Sequence, residues 1–256
     1  MSPEQMNNYF RDKPMPPRFI TYKELNHQMF YATTGSDTNQ LILFVHGAPG
    51  SWDAFIKYLG DTVLMNHAQL VSVDRPGYGK SGLGQSVASI EDQARMIQPI
   101  LDANKSNKPA IIIGHSLGGA VIARIAMDYP DKVGELIFLA PAIDPDHEKI
   151  WKISYPANWK IFKWMVPPVW KVTNDEKLSH SAELKKMLPL WSDIHCHCVY
   201  MYGAKDAIVP PENVEFAKRM LVNAPLEIIA FPHENHFIPW TKKDSIIKVI
   251  LNCLRK

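Results

Sequence analysis

The chain has 256 residues, 46% of them hydrophobic, which is enough for one large α/β domain with an inserted subdomain. A formal charge of +2 and a pI near 8.3 exclude the strongly basic character of nucleic-acid-binding proteins. No apolar stretch has the length of a membrane span or signal peptide, and three cysteines do not form a disulfide framework. We therefore expect a soluble, cytoplasmic protein without nucleic-acid or membrane partners. The oligomeric state is not revealed.

The hydrophobic pattern predicts strands that alternate with helices along most of the chain. Residues 1–17, which end in three closely spaced prolines, are expected to form an extended arm that is not helical. The predicted strands are an antiparallel hairpin of 19–24 and 28–33, followed by 41–45, 69–73, 111–113, 135–140, 195–202 and 226–231. The predicted helices are 51–59, 89–104, 117–129, 211–221 and 241–254. This order indicates a mostly parallel, eight-stranded sheet with helices on both faces.

The composition changes after Pro141, where tryptophans, lysines and prolines are interleaved up to residue 191. Because proline interrupts helices, we expect short helices here. Residues 142–191 are predicted to form a helical cap inserted into a core made of 1–141 and 192–256. The cap tryptophans Trp151, Trp159 and Trp164 are candidates for the wall of an apolar substrate pocket. Packing within the cap itself explains any one of them equally well.

Ser116 lies where a buried strand turns into a helix within four residues. Such a turn strains the backbone at the serine, and it is tolerated because Gly114 and Gly118 have no side chains to clash. The turn raises the hydroxyl above the sheet at a helix N-terminus, where the N–H of Leu117 favours developing negative charge. A serine between glycines also occurs in ordinary turns, so the prediction depends on the strand and helix that flank it.

A loop rich in glycine follows strand 41–45, from His46 to Trp52. Glycine lets the backbone pass close to a ligand, so the N–H of Ala48 is expected to form an oxyanion hole together with that of Leu117. An ordinary strand-to-helix loop is the alternative. His46, at the start of the loop, is a further candidate for the substrate pocket.

Two other side chains follow later strands and so join Ser116 at the carboxyl edge of the sheet. Asp206 comes just after strand 195–202, and His236 lies in the loop beyond strand 226–231. Imidazole activates a serine hydroxyl at neutral pH, and a carboxylate fixes its tautomer. Asp144 and His233 are the competitors for these roles. We favour Asp206 for its Gly-x-x-Asp setting, and His236 because His233 would point elsewhere.

The run from His195 to Cys198 invites a metal-site interpretation. On a strand, however, alternate side chains face opposite sides, so neighbours alone do not form a tetrahedral site. We therefore interpret the run as a core strand and predict neither a metal nor a cofactor.

Five motifs together resemble the α/β-hydrolase superfamily, over about residues 19–255. They are His46-Gly47, Asp74-Arg75-Pro76-Gly77-Tyr78-Gly79-x-Ser81, Gly114-His115-Ser116-Leu117-Gly118-Gly119, Gly203-x-x-Asp206-x-x-Val209-Pro210 and Asn235-His236-Phe237. The resemblance implies Ser116 as nucleophile, His236 as base and Asp206 as acid, with an oxyanion hole at Ala48 and Leu117. Members of the family usually have glycine before the last histidine, whereas this chain has Asn235 before His236. The His-Gly-x-Pro loop is similar to that of epoxide hydrolases and haloalkane dehalogenases, which need aspartate at the position of Ser116.

These features predict a serine hydrolase that cleaves a small carboxylic ester or related acyl compound through an acyl-enzyme. The alternatives on the same triad are C–C bond, thioester or amide hydrolysis, iminopeptidase action and cofactor-free peroxidation. Glu176 and Glu183 are the only glutamates of the predicted cap after Glu148, and nothing pairs them as the amine-binding site of a peptidase would require. A non-catalytic ligand receptor is the alternative from another class.

Overall fold

A computed structural model of the chain describes residues 1–149 and 166–255, except for the side chain of Pro3. In these ranges the strands are β1 (Arg18–Glu24), β2 (His27–Thr34), β3 (Gln40–Val45), β4 (Ala68–Asp74), β5 (Ala110–His115), β6 (Val133–Leu139), β7 (His197–Gly203) and β8 (Leu226–Phe231). The α-helices there are α1 (Pro3–Phe10), α2 (Ile56–Leu59), α3 (Thr62–His67), α4 (Ile90–Asp102), α5 (Leu117–Asp128), α6 (Pro168–Met187), α7 (Glu212–Met220), α8 (Ile238–Thr241) and α9 (Lys243–Leu254). Shorter 3-10 turns occupy Trp52–Phe55, Pro130–Lys132 and Leu188–Asp193.

The strands form one eight-stranded sheet in the order β1-β2-β4-β3-β5-β6-β7-β8. The pairs β1–β2 and β2–β4 are antiparallel, and all the others are parallel, which confirms the predicted architecture. The chain moves outward from β3 to β4 and then returns across β3 to β5. The carboxyl ends of β3 and β5 therefore meet where the winding direction reverses, which is where open α/β sheets bind ligands.

The side chains of the central strands alternate between two cores, one on each face of the sheet. Ile112 packs into the core that includes α4, α5 and α7, whereas Ile111 and Ile113 belong to the core that includes α3 and α9. Strands covered on both faces must be apolar throughout. This explains why the sequence shows continuous apolar runs here.

The expectation of a non-helical N-terminal arm was wrong, because Pro3–Phe10 is α-helical. Proline is tolerated in the first turn of a helix, where its missing N–H leaves no bond unmade. Ser2 and Gln5 form a capping box: Ser2 Oγ accepts from the Gln5 N–H at 3.2 Å, and Gln5 Oε1 accepts from the Ser2 N–H at 2.9 Å. The cluster of three prolines lies beyond the end of this helix.

The expectation of short cap helices was also wrong, because α6 has 20 residues. Pro167 and Pro168 lie at its start and Pro189 lies after its end, so these prolines bound the helix instead of breaking it. Leu184 and Met187 anchor α6 in the core shared with α5. No helix in the described ranges combines the length and apolar character needed to cross a membrane.

Candidate active site

Ser116 occupies the single residue between β5 and α5, with the strained backbone angles φ 55° and ψ −124°. Its N–H donates to the Leu139 carbonyl oxygen at 3.1 Å. Its own carbonyl oxygen accepts from the N–H groups of Gly119 at 2.9 Å and Ala142 at 3.1 Å. These bonds tie the turn to β6 and the loop after it, and so hold the strained conformation in place.

The glycines around Ser116 are required by close backbone contacts. A Cβ atom on Gly114 would lie 2.6 Å from the Gly118 carbonyl oxygen, and one on Gly118 would lie 2.4 Å from the carbonyl oxygen of Val45. A Cβ atom on Gly47 would lie 2.9 Å from that of Ser116. The turn at Ser116 between β5 and α5, called the elbow below, and the loop after β3 are thus packed backbone against backbone.

His236 and Asp206 are hydrogen-bonded, with 2.7 Å between His236 Nδ1 and Asp206 Oδ2. Their side chains are only 6% and 5% exposed. Asp206 Oδ1 accepts from the N–H groups of Ile208 at 2.8 Å and Val209 at 2.9 Å, which fixes the carboxylate. Because the carboxylate accepts the Nδ1 proton, Nε2 keeps its lone pair, as a general base requires.

His115 connects the loop of His236 to the elbow. Its Nε2 donates to the His236 carbonyl oxygen at 3.1 Å, and the centres of the two rings are 4.7 Å apart. Burial, together with the neighbouring His236 ring, lowers the pKa of His115 to about 3. The His115 ring therefore stays neutral at physiological pH and acts here through packing and this hydrogen bond.

A cavity of about 520 Å³ with a mostly apolar wall opens above Ser116. Ser116, His236, Ala48, Leu117 and His46 all border it, and Asp206 is joined to it through His236. The residues of α6 that border it are Trp170, Thr173, Asn174 and Lys177. The other predicted pocket residues, Trp151, Trp159 and Trp164, lie outside the described residues.

The ring of His46 is bound on both sides within the protein. Its Nδ1 donates to the Gly47 carbonyl oxygen at 2.6 Å, and its Nε2 accepts from the backbone N–H of Arg75 at 3.0 Å. His46 thus borders the cavity with both ring nitrogens engaged, so the ring supports the loop that contains Ala48.

The two competing residues are placed differently from Asp206 and His236. Asp144 Oδ2 accepts from His147 Nδ1 at 2.8 Å, and His233 is exposed. The departure at Asn235 has a local explanation, because its Oδ1 accepts from the N–H of Phe237 at 2.9 Å. This Asx-type bond shapes the turn that contains His236.

A buried ion pair beside the site was not predicted from the sequence. Arg75 Nη1 lies 2.6 Å from Glu176 Oε1, and both side chains are at most 2% exposed. Glu183 is also ion-paired, with Lys186 at 2.5 Å. The motif that contains Arg75 could be recognised in the sequence. Its partner Glu176, however, is 101 residues away on a helix, and the sequence did not predict which face of that helix turns toward Arg75.

The chain is similar in sequence to several known proteins. Residues 40–167 match the family described as alpha/beta hydrolase fold. A pimeloyl-[acyl-carrier protein] methyl ester esterase of Proteus mirabilis is 34% identical over 82% of this chain and 90% of its own. Epoxide hydrolase 1 of Caenorhabditis elegans is 31% identical over 47% of this chain and 29% of its own. Like that protein, several other curated relatives are matched over less than half of their own length.

Solved structures resemble this fold over nearly the whole chain. The enol-lactonase of Burkholderia xenovorans has a TM-score of 0.70 and covers 93% of this chain and 100% of its own, at 14% sequence identity. At that identity the likeness shows the fold alone. The family match and the Proteus mirabilis relative show that the chain is an enzyme of the hydrolase class.

Proposed function

This chain belongs to the α/β-hydrolase family, and we propose that it is a serine hydrolase that cleaves small carboxylic esters. One observation above all supports this proposal: buried Asp206 accepts the Nδ1 proton of His236 beside the cavity that contains Ser116. The free Nε2 is then available to take a proton from the serine hydroxyl. We also propose that residues 142–191 form the cap of this cavity and that the protein is cytoplasmic.

The proposed reaction has two stages. Ser116 Oγ attacks the ester carbonyl carbon while His236 Nε2 takes its proton, and the N–H groups of Ala48 and Leu117 stabilise the oxyanion. The carbon–oxygen bond to the alcohol then breaks, and His236 gives its proton to the departing oxygen. In the second stage, water loses a proton to His236 and attacks the acyl-enzyme. Release of the acid returns the proton to Ser116, and no cofactor is needed.

Several features favour an ester over other substrates. The Proteus mirabilis relative, aligned over most of both chains, is named as a methyl ester esterase. The apolar cavity wall suits a hydrocarbon acyl or alcohol group. Glu176 and Glu183 both bind protein cations, so neither offers a free carboxylate to the amine of a peptidase substrate. Serine at position 116 disfavours the epoxide-hydrolase route, which needs an aspartate nucleophile.

Hydrolysis of p-nitrophenyl esters by the wild type and by Ser116→Ala tests the proposal. We expect the substitution to reduce kcat/KM at least about a thousand-fold, because the remaining groups only bind and polarise the ester. Unchanged turnover would exclude the serine mechanism. A wild-type chain that neither hydrolyses esters nor reacts with a fluorophosphonate would instead be a ligand receptor.

A further inference from the structure

A buried network of charged and polar side chains joins cap helix α6 to the loop after β3. Arg75 Nη1 and Nη2 donate to the two carboxylate oxygens of Glu176 at 2.6 and 3.1 Å. Tyr78 Oη donates to the same carboxylate at 2.6 Å, and Gln93 Nε2 does so at 2.9 Å. Gln93 Oε1 in turn accepts from Arg75 Nη1 at 2.9 Å. Both charges are thus buried, paired and hydrogen-bonded on several sides.

The same guanidinium holds the backbone of the loop that contains Ala48. Arg75 Nε donates to the His46 carbonyl oxygen at 2.8 Å, and Nη2 donates to the Gly47 carbonyl oxygen at 3.1 Å. His46 Nδ1 donates to the Gly47 oxygen as well. Two successive carbonyl groups therefore point toward Arg75.

The orientation of the Ala48 N–H follows from planar peptide geometry. The Gly47 carbonyl and the Ala48 N–H belong to one trans peptide unit, in which C=O and N–H point in opposite directions. Because Arg75 holds the Gly47 carbonyl oxygen toward itself, the Ala48 N–H points away from Arg75. A Cβ atom added to Gly47 would meet that of Ser116, so the turn at Ser116 lies directly beside this peptide.

We infer that Glu176, acting through Arg75, is a positioning residue for the oxyanion hole. The carboxylate fixes both ends of the guanidinium fork, and the fork fixes the rotation of the Gly47–Ala48 peptide. The residues of α6 that border the cavity are on the same helix as Glu176: Trp170, Thr173, Asn174 and Lys177. Placement of the cap over the substrate and orientation of the oxyanion donor are consequently coupled. This inference rests on the proposed serine-hydrolase function.

The test separates positioning from simple stabilisation. A buried ion pair replaced on both sides by apolar residues of similar volume usually keeps the fold, whereas removal of one partner leaves an uncompensated charge. The main variant is therefore the double substitution Arg75→Met with Glu176→Leu. Glu183→Gln, on the same helix but outside the network, is the matched control.

Each variant is assayed on a p-nitrophenyl ester and on the matching thionoester, whose sulfur accepts hydrogen bonds only weakly. For the double variant we expect kcat on the oxygen ester to fall about 10- to 100-fold, with KM within about threefold of wild type. The loss on the thionoester should be much smaller. Glu183→Gln should match wild type on both substrates.

Tyr78→Phe is a milder variant that removes one hydrogen bond to Glu176 without unpairing a charge. We expect kcat on the oxygen ester to fall about two- to fivefold, with a smaller effect on the thionoester. Wild-type kcat in the folded double variant, or equal losses on both esters, would overturn the inference; if the double variant does not fold, Tyr78→Phe decides by the same comparison. The proposed function fails separately, if Ser116→Ala retains turnover.

Discussion

At the scale of single residues, Asp206 Oδ2 accepts the Nδ1 proton of His236 and so fixes the tautomer of the ring. The other carboxylate oxygen, Oδ1, accepts from the backbone N–H groups of Ile208 and Val209. The proximity of Asp206 and His236 could be predicted from the sequence, because each follows a recognisable strand and parallel strands bring their carboxyl ends together. The pairing of Arg75 with Glu176 could not, because a contact across 101 residues depends on helix orientation. Local sequence patterns contain no information about that orientation.

Asp206→Asn should reduce kcat about 10⁴-fold. The asparagine amide donates to Nδ1, which moves the imidazole proton to Nε2 and removes the base, while the asparagine oxygen still accepts from the backbone. Asp144→Asn is the matched control, since Asp144 binds His147 instead. We expect it to keep kcat within about threefold. Ester assays that showed the reverse order would assign the acid to Asp144.

Asp74 is expected to give the stability of the protein a pH dependence. Its oxygens accept from the N–H groups of Trp52 and Lys80, each at 2.7 Å, yet burial raises the pKa of Asp74 to about 6. The native state therefore holds this proton more tightly than the unfolded state does. The stabilisation is complete below the ordinary pKa of aspartate and is lost as pH rises through 6.

Urea unfolding of the wild type and Asp74→Asn across this range measures that contribution. The free energy of unfolding of wild type minus that of the variant should decrease between pH 4 and 7 by on the order of 3 kcal/mol. The asparagine amide does not titrate, so subtracting the two free energies of unfolding cancels the contributions of the other titratable groups. A difference that stays constant with pH would show that Asp74 remains ionised throughout.

At the scale of elements, the strands were predictable to within one or two residues, because the hairpin of β1 and β2 alternates along its strands and the other strands are short apolar runs. The helices were harder to predict. Pro3–Phe10 was hidden because the prolines that follow it suggested an arm, and Pro168–Met187 because its flanking prolines suggested repeated breaks. The short α3, capped by the Asp61 side chain, was not predicted at all. In each case the position of the capping or breaking residue, rather than its presence, decides the outcome.

Gly118→Ala should destabilise the contact between α5 and β3. The new Cβ would lie 2.4 Å from the Val45 carbonyl oxygen, a backbone atom that cannot move alone. We expect the free energy of unfolding to fall by about 2–3 kcal/mol in denaturant titrations. Gly134→Ala is the control, because its Cβ would meet nothing nearer than 3.4 Å and should change stability by less than about 1 kcal/mol. Equal stability of the two variants would contradict this account of the elbow.

At the scale of the whole molecule, the cavity lies between the carboxyl edge of the sheet and α6. The sheet edge was predictable from strand order. The lining from α6 was not, because it depends on which face of the helix turns toward Ser116. Trp170 and Lys177 border the cavity, whereas Leu184 and Met187, farther along the same helix, pack into the core.

This apolar cavity predicts a dependence on acyl chain length. Each methylene buried in an apolar site contributes about 0.8 kcal/mol, so kcat/KM for p-nitrophenyl esters should rise about fourfold per added carbon. The rise should stop once the chain fills the cavity. A series of p-nitrophenyl esters from acetate upward measures this rise in kcat/KM. The same series is assayed with Lys177→Met, a variant of the one cationic residue that borders the described part of the cavity. A maximum at acetate would contradict an apolar acyl site.

In the proposed reaction, Ser116 becomes covalently acylated. Rapid acid quenching of the wild type with a p-nitrophenyl ester, followed by proteolysis and mass spectrometry, tests it directly. We predict that the peptide containing Ser116 gains the mass of the acyl group, and that the Ser116→Ala protein shows no such gain. Turnover of the ester without any acylated peptide, or acylation at another residue that accounts for turnover, would contradict a mechanism through Ser116.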